Sequence, residues 1–160
     1  MAADLALRRK LTLRAHGRQV VLIKKPGETI EHVLMKAFLW ALYLPAYPAL
    51  AVEVPVGDRY KPDVVGLADD GRPAFWGEAG RVSAEKYAAL LRRFPATHVA
   101  VAKWGERLEP HAAIVRKALD GRPRRAPVEL LGFPSDAGRF VGDDGAVTVT
   151  FDDVERMRLA

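Results

Sequence analysis

Apolar positions along the chain change period several times, and each change marks an element. Lys10 to Ala15 alternates polar and apolar residues, His16-Gly17-Arg18 interrupts the alternation, and Gln19 to Lys24 resumes as a run rich in Val, Leu and Ile. This pattern predicts an N-terminal β-hairpin over residues 9–24. Pro26-Gly27 ends it. From Glu28 onward Ile30, Val33, Leu34, Ala37, Phe38, Ala41 and Leu42 recur at helical spacing until Leu44-Pro45 stops them, which predicts a first core helix.

Three short strand-like runs follow: Leu50 to Val54, Lys61 to Leu67 and Ala74 to Glu78. The turn sequence Ala68-Asp69-Asp70-Gly71 joins the last two as a hairpin. Ser83 is a good N-cap, and Ala84, Tyr87, Ala88, Leu90, Leu91 and Phe94 form a helical stripe ending at Pro95. Thr97 to Trp104 then reads as a strand, Leu108 to Leu119 as a helix closed by Asp120-Gly121, and Val128 to Phe133 as another strand. The tail reads as a C-terminal β-hairpin around Asp143-Asp144-Gly145, with Val147 to Phe151 as its return strand. With the two hairpins set aside, the order is helix, three strands, helix, strand, helix, strand. That order predicts an α/β fold with a mixed sheet flanked by helices, the later strands joined by helical crossovers. A chain of 160 residues, 49% of them hydrophobic, can bury one core. A single domain over 1–160 is therefore expected, its core at about 26–133.

Composition removes several chemistries. Without cysteine there is no disulfide framework, thiolate metal site or cysteine nucleophile. No Gly-rich phosphate loop follows a strand, and no serine sits in a GxSxG-like elbow. His16, His32, His98 and His111 are scattered rather than paired for zinc. His98, in an apolar strand, reads as a hydrogen-bonded core histidine. The N-terminal segment carries its positive charges after a short apolar stretch, the reverse of a secretory signal, so a cytoplasmic protein without membrane contact is expected. A net charge of +5 favours a polyanionic partner such as nucleic acid, although the basic run Arg122 to Arg125 reads as a solvated linker.

Asp63 stands at the start of one predicted strand, after Pro62, and Glu78 at the end of the next. In an antiparallel hairpin those two positions are neighbours. Two carboxylates among apolar residues repel unless a cation or a shared proton intervenes. Mg²⁺ suits such a pair, since it takes oxygen ligands and keeps several waters, and the Ala79 carbonyl could add a ligand. A plainer reading makes Asp63 a turn cap and Glu78 a surface partner of Arg81 or Lys86. Glu31 lies at the flank of the first helix's apolar stripe, beside Met35 and Phe38, while Lys36 points away. Glu31 is then either a third acid at a cleft edge or a first-turn carboxylate favoured by the helix dipole.

Pro-Asp at a strand start, Glu at the next strand's end and Glu in the preceding helix together resemble the PD-(D/E)XK phosphodiesterase superfamily. More closely, GETIEHVLMKAFLWAL is similar to the first-helix segment of the YaeQ family through Glu28, Thr29, Glu31, Lys36 and Trp40, and WGEAG resembles that family's Trp-x-Glu-x-Gly. The likeness covers roughly residues 8–120. It implies a restriction-endonuclease-like fold with Mg²⁺ (or Mn²⁺) on Asp63, Glu78 and the Ala79 carbonyl. Glu31 would support them, and a lysine would orient the attacking water at a phosphodiester. Gly80 occupies that lysine's position, so Lys86, about one turn into the following helix, is the expected substitute. Arg81 is a second candidate, suited to clamping a substrate phosphate, as is Lys103. The expected function is a Mg²⁺-dependent nuclease or nuclease-like phosphodiesterase acting on nucleic acid. The alternative is a catalytically inactive module of the same fold that binds nucleic acid or a protein partner.

Overall fold

The structure is a computed structural model describing residues 2–160, with side chains from Leu5 onward. A short helix, α1 (Ala2–Leu7), precedes the N-terminal hairpin of β1 (Lys10–Ala15) and β2 (Arg18–Ile23), paired in register from Lys10 opposite Ile23 to Ala15 opposite Arg18. Leu11, Leu13 and Leu22 turn inward and are buried, so alternation places one hairpin face on the core.

Helix α2 (Ile30–Tyr43) starts where Thr29 accepts a hydrogen bond from the His32 amide. Every residue from Val33 to Tyr43 is buried, Lys36 included. The helix is sandwiched between the hairpin and the main sheet, which is why it is apolar nearly all round.

The main sheet has six strands in chain order: β3 (Ala51–Val52), β4 (Val64–Leu67), β5 (Pro73–Ala79), β6 (His98–Trp104), β7 (Val128–Phe133) and β8 (Glu155–Arg158). β3, β4 and β5 pair antiparallel. β5, β6 and β7 run parallel through the crossovers α3 (Ala84–Arg93) and α4 (Glu109–Leu119). Side chains alternate between two cores. Phe75, Ala79, Ala102 and Phe133 pack toward α2, whereas Trp76, Val99, Val101 and Leu130 join the cluster that includes Tyr87 of α3 and Val115 of α4. Over the expected core, residues 26–133, the sequence-based order of helices and strands is the observed one, α1 being an unexpected addition, and the fold is a mixed α/β sheet flanked by helices.

The C-terminal segment differs from expectation. Asp143-Asp144-Gly145 does form a tight turn, but only the isolated bridge Val141–Val147 spans it, and Val147 donates instead to the Arg14 carbonyl. A 3-10 turn, Phe151–Asp153, then feeds β8, which pairs antiparallel with β7. The predicted return strand Val147 to Phe151 forms no strand, Val147 alone of it bonding to β1, and the last residues extend the sheet past the expected core boundary at 133. Among the described residues no helix is long and apolar enough to cross a membrane.

Candidate functional site

The β4–β5 hairpin does what the spacing of its acids requires. Asp63 lies one residue before β4, where its amide donates to the Gly77 carbonyl (3.1 Å) and its Oδ2 accepts the Ala79 amide (2.8 Å). His32, in the first turn of α2, brings Nε2 to 3.7 Å from the same oxygen and Nδ1 to 2.6 Å from Glu28 Oε2. Burial works against ionising Asp63, but His32 and the Ala79 amide outweigh it and hold the carboxyl below its ordinary range. The Asp63 carboxylate, ahead of Glu28, in turn raises His32.

Glu78 shares its face of β5 with Trp76, since residues two apart lie on one side of a strand. Its Oε1 accepts the Trp76 indole N–H (2.8 Å) and lies 2.7 Å from the Lys86 ammonium. That ammonium also lies 5.4 Å from the centre of the Tyr60 ring, within cation–π range. Only 4% of Glu78 is exposed. Burial, with the negative charge of Asp63 added, pushes its carboxyl up to about 7 despite Lys86. Asp63 and Glu78 therefore sense each other electrostatically, as expected of adjacent strand ends. The Tyr87 hydroxyl, raised by its own burial and by Glu78, is buried without a hydrogen-bond partner among the described residues.

Not every expected residue gathers here. Glu31 lines a separate cavity with Leu34, Trp104 and Arg139; one residue further along α2 the helix turns by about 100°, and His32 takes the place expected for Glu31. Lys36 does not point away: it is 0% exposed and bridges Glu28 (2.7 Å) and Glu53 (2.8 Å). Lys103 is 2% exposed and donates to the Gly80 carbonyl at 2.6 Å, so it fastens the strand end instead of facing a substrate. Burial lowers its pKa accordingly. Arg81 is exposed, next to the site in sequence.

Gly80 has a backbone reason for being glycine. Its φ is +85°, a region that side chains rarely adopt, and an added Cβ would sit 3.5 Å from His32 Cδ2. A lysine at this position would be strained by the backbone conformation, its Cβ meeting His32 in ordinary contact. Among the described residues no three His, Asp or Glu side chains gather closely enough to hold a metal ion by themselves. The sequence did contain a cue to the polar chain that supports Asp63: Glu28, just ahead of α2, and His32 and Lys36 within it recur every four residues.

No protein-family model matches the chain, and no curated protein sequence matches it. Solved structures do. The YaeQ protein from Pseudomonas syringae superposes with a TM-score of 0.57 at 19% identity, over 84% of this chain and 74% of that one. The YaeQ protein from Xanthomonas axonopodis pv. citri gives 0.53 at 20% identity, over 77% and 72%. The chain therefore has a YaeQ-like fold.

Proposed function

We propose that this chain is a metal-dependent phosphodiesterase of the YaeQ type acting on nucleic acid, with a restriction-endonuclease-like core and Asp63, Glu78 and Lys86 as its working residues. The observation that carries the reading is the 2.7 Å contact between Lys86 and Glu78, which sets an amine beside one of the two acids although glycine follows the strand at residue 80.

The donors fit Mg²⁺ or Mn²⁺. Asp63 and Glu78 are hard oxygen ligands, and the protein donors described engage one oxygen of each and leave the other. Their mutual repulsion is what a cation would relieve. Asp63, Glu78 and the Ala79 carbonyl would hold the ion, which when bound neutralises phosphodiester oxygens and acidifies a water. Lys86 supplies a positive charge and N–H donors beside Glu78. His32 keeps Asp63 ionised and fixed in direction, and exposed Arg81 is placed to clamp a phosphate.

The test is cleavage of single- and double-stranded DNA and RNA with Mg²⁺ or Mn²⁺. Turnover lost in the Asp63→Asn, Glu78→Gln double variant is the expected result; turnover unchanged by it sinks the proposal. One observation favours a second reading. Among the described residues no three His, Asp or Glu side chains form a metal-holding group, and a fold with two acids serves equally as a nucleic-acid or protein-binding module without chemistry. Salt-sensitive nucleic-acid binding without turnover, surviving loss of both acids, selects that reading.

A further inference from the structure

A cleft of about 430 Å³ opens at the far end of α2, between its C-terminal turn, the β1–β2 turn and the segment leading into β8. Its volume lies in the range of small-molecule sites. Leu42, Pro45, Val149 and Phe151 give it apolar and aromatic walls, and Tyr47, His98 and Arg156 meet at its polar side.

A buried carboxylate organises those polar groups. Glu129, 2% exposed, accepts the Tyr43 hydroxyl (2.6 Å), His98 Nε2 (2.7 Å) and Arg156 Nε (2.7 Å). A carboxylate can only accept, so His98 carries a proton on Nε2. In the neutral ring Nδ1 is then the acceptor, and the Tyr47 hydroxyl, 3.0 Å away, donates to it. The Tyr47 proton is spent, while its oxygen keeps lone pairs for another donor.

Charge is balanced as well. Arg156, the one residue of permanent charge lining the cleft, is neutralised by Glu129 and lies 4.1 Å from the centre of the Phe151 ring. His16, also in the lining, donates its Nε2 proton to the Ala41 carbonyl at 2.8 Å, as only a protonated nitrogen can. An ionic ligand would find no net countercharge here, whereas a flat apolar one would find aromatic walls and, in the Tyr47 oxygen, an oriented acceptor.

We propose that this cleft binds a small, uncharged, planar aromatic molecule that donates one N–H or O–H hydrogen bond to the Tyr47 oxygen. The site stands apart from the acidic pair: His98 opens β6, whereas Asp63 and Glu78 lie beside the closing end of β5. It does not depend on the phosphodiesterase reading.

Titration of the ¹⁵N-labelled chain with indole, followed by amide chemical shifts, tests the proposal. Saturable shifts should centre on Tyr47, His98 and Phe151, and 1-methylindole, which lacks the N–H, should bind about tenfold more weakly. Tyr47→Phe should erase that preference. Val149→Trp, which fills the cleft, should abolish binding of both probes while the rest of the spectrum keeps its dispersion. No saturable shift at millimolar indole, equal affinity for the two probes, or binding that survives Val149→Trp overturns it.

Discussion

The Lys86 ammonium meets Glu78 Oε1 at 2.7 Å, although Glu78 belongs to β5 and Lys86 to the helix that follows. The chain turns at Gly80, whose positive φ opens the way back, and Ser83 caps α3 so that its first turn lies over the strand end. The amine thus reaches the acids from the helix while the strand position stays glycine. If the phosphodiesterase reading holds, Lys86→Met should lower kcat/KM at least about a hundredfold, the scale of a lost proton-transfer or orienting group. Glu31→Ala, which touches the other cavity, should stay within about threefold of wild type. Steady-state cleavage of a fluorescent oligonucleotide compares them, and the reverse ranking would return Glu31 to the site.

Ion binding can be separated from turnover. A ligand that binds only the folded state stabilises it by about 2.7 kcal/mol at a hundred times its dissociation constant. For a domain of this size that is a rise in Tm of roughly 5–10 °C. Mn²⁺ should produce such a rise in the wild type and in Lys86→Met, and not in the Asp63→Asn, Glu78→Gln double variant. Equal melting shifts in all three would place the ion elsewhere.

Much of this arrangement was legible in the sequence. The hairpin that joins Asp63 to Glu78 followed from a turn motif between two apolar runs, and Lys86 followed from its place one turn after Ser83. What failed did so for identifiable reasons. Glu31 was chosen because it flanks an apolar stripe, but α2 is covered on nearly all sides, so a stripe edge does not tell which cleft the residue faces. The same covering hid Lys36, whose burial is tolerable only because Glu28 and Glu53 converge on it from the helix start and from the residue after β3. Strand β8 was missed because Glu155, Arg156 and Arg158 are exposed on a sheet edge, where charged residues are expected yet carry no apolar period.

Lys36 makes a sharp stability prediction. Burial opposes its charge, yet the two carboxylates outweigh that and raise its pKa. Glu53 sits at a φ of +58°, a left-handed conformation that a glutamate keeps only when something holds it there. Lys36→Met removes the shared cation and leaves two carboxylates facing each other, which should cost about 3–5 kcal/mol in urea unfolding. Adding Glu53→Gln should recover at least about 1 kcal/mol, because one of the stranded charges is gone. Additive losses in the double variant would show that Lys36 acts by packing alone.

Acid should unfold this protein partly through Glu129. Burial alone would raise its carboxyl, but His98, Arg156 and Tyr43 bring it down from 4.5 to about 2. A folded pKa below the unfolded one means that the stabilisation is fully present above about pH 4.5 and is lost as pH falls from there through 2. Arg156 is half exposed, so solvent screens part of the network and the loss from this group is about 2 kcal/mol rather than the full equivalent of the shift. Glu129→Gln cannot titrate and should be less stable than wild type at pH 7, with the gap narrowing by about that amount between pH 4.5 and 2. Denaturant melts at pH 7, 4.5, 3 and 2 give the comparison directly. Parallel stability curves for the two proteins would mean that the Glu129 network contributes packing and orientation but no net charge stabilisation.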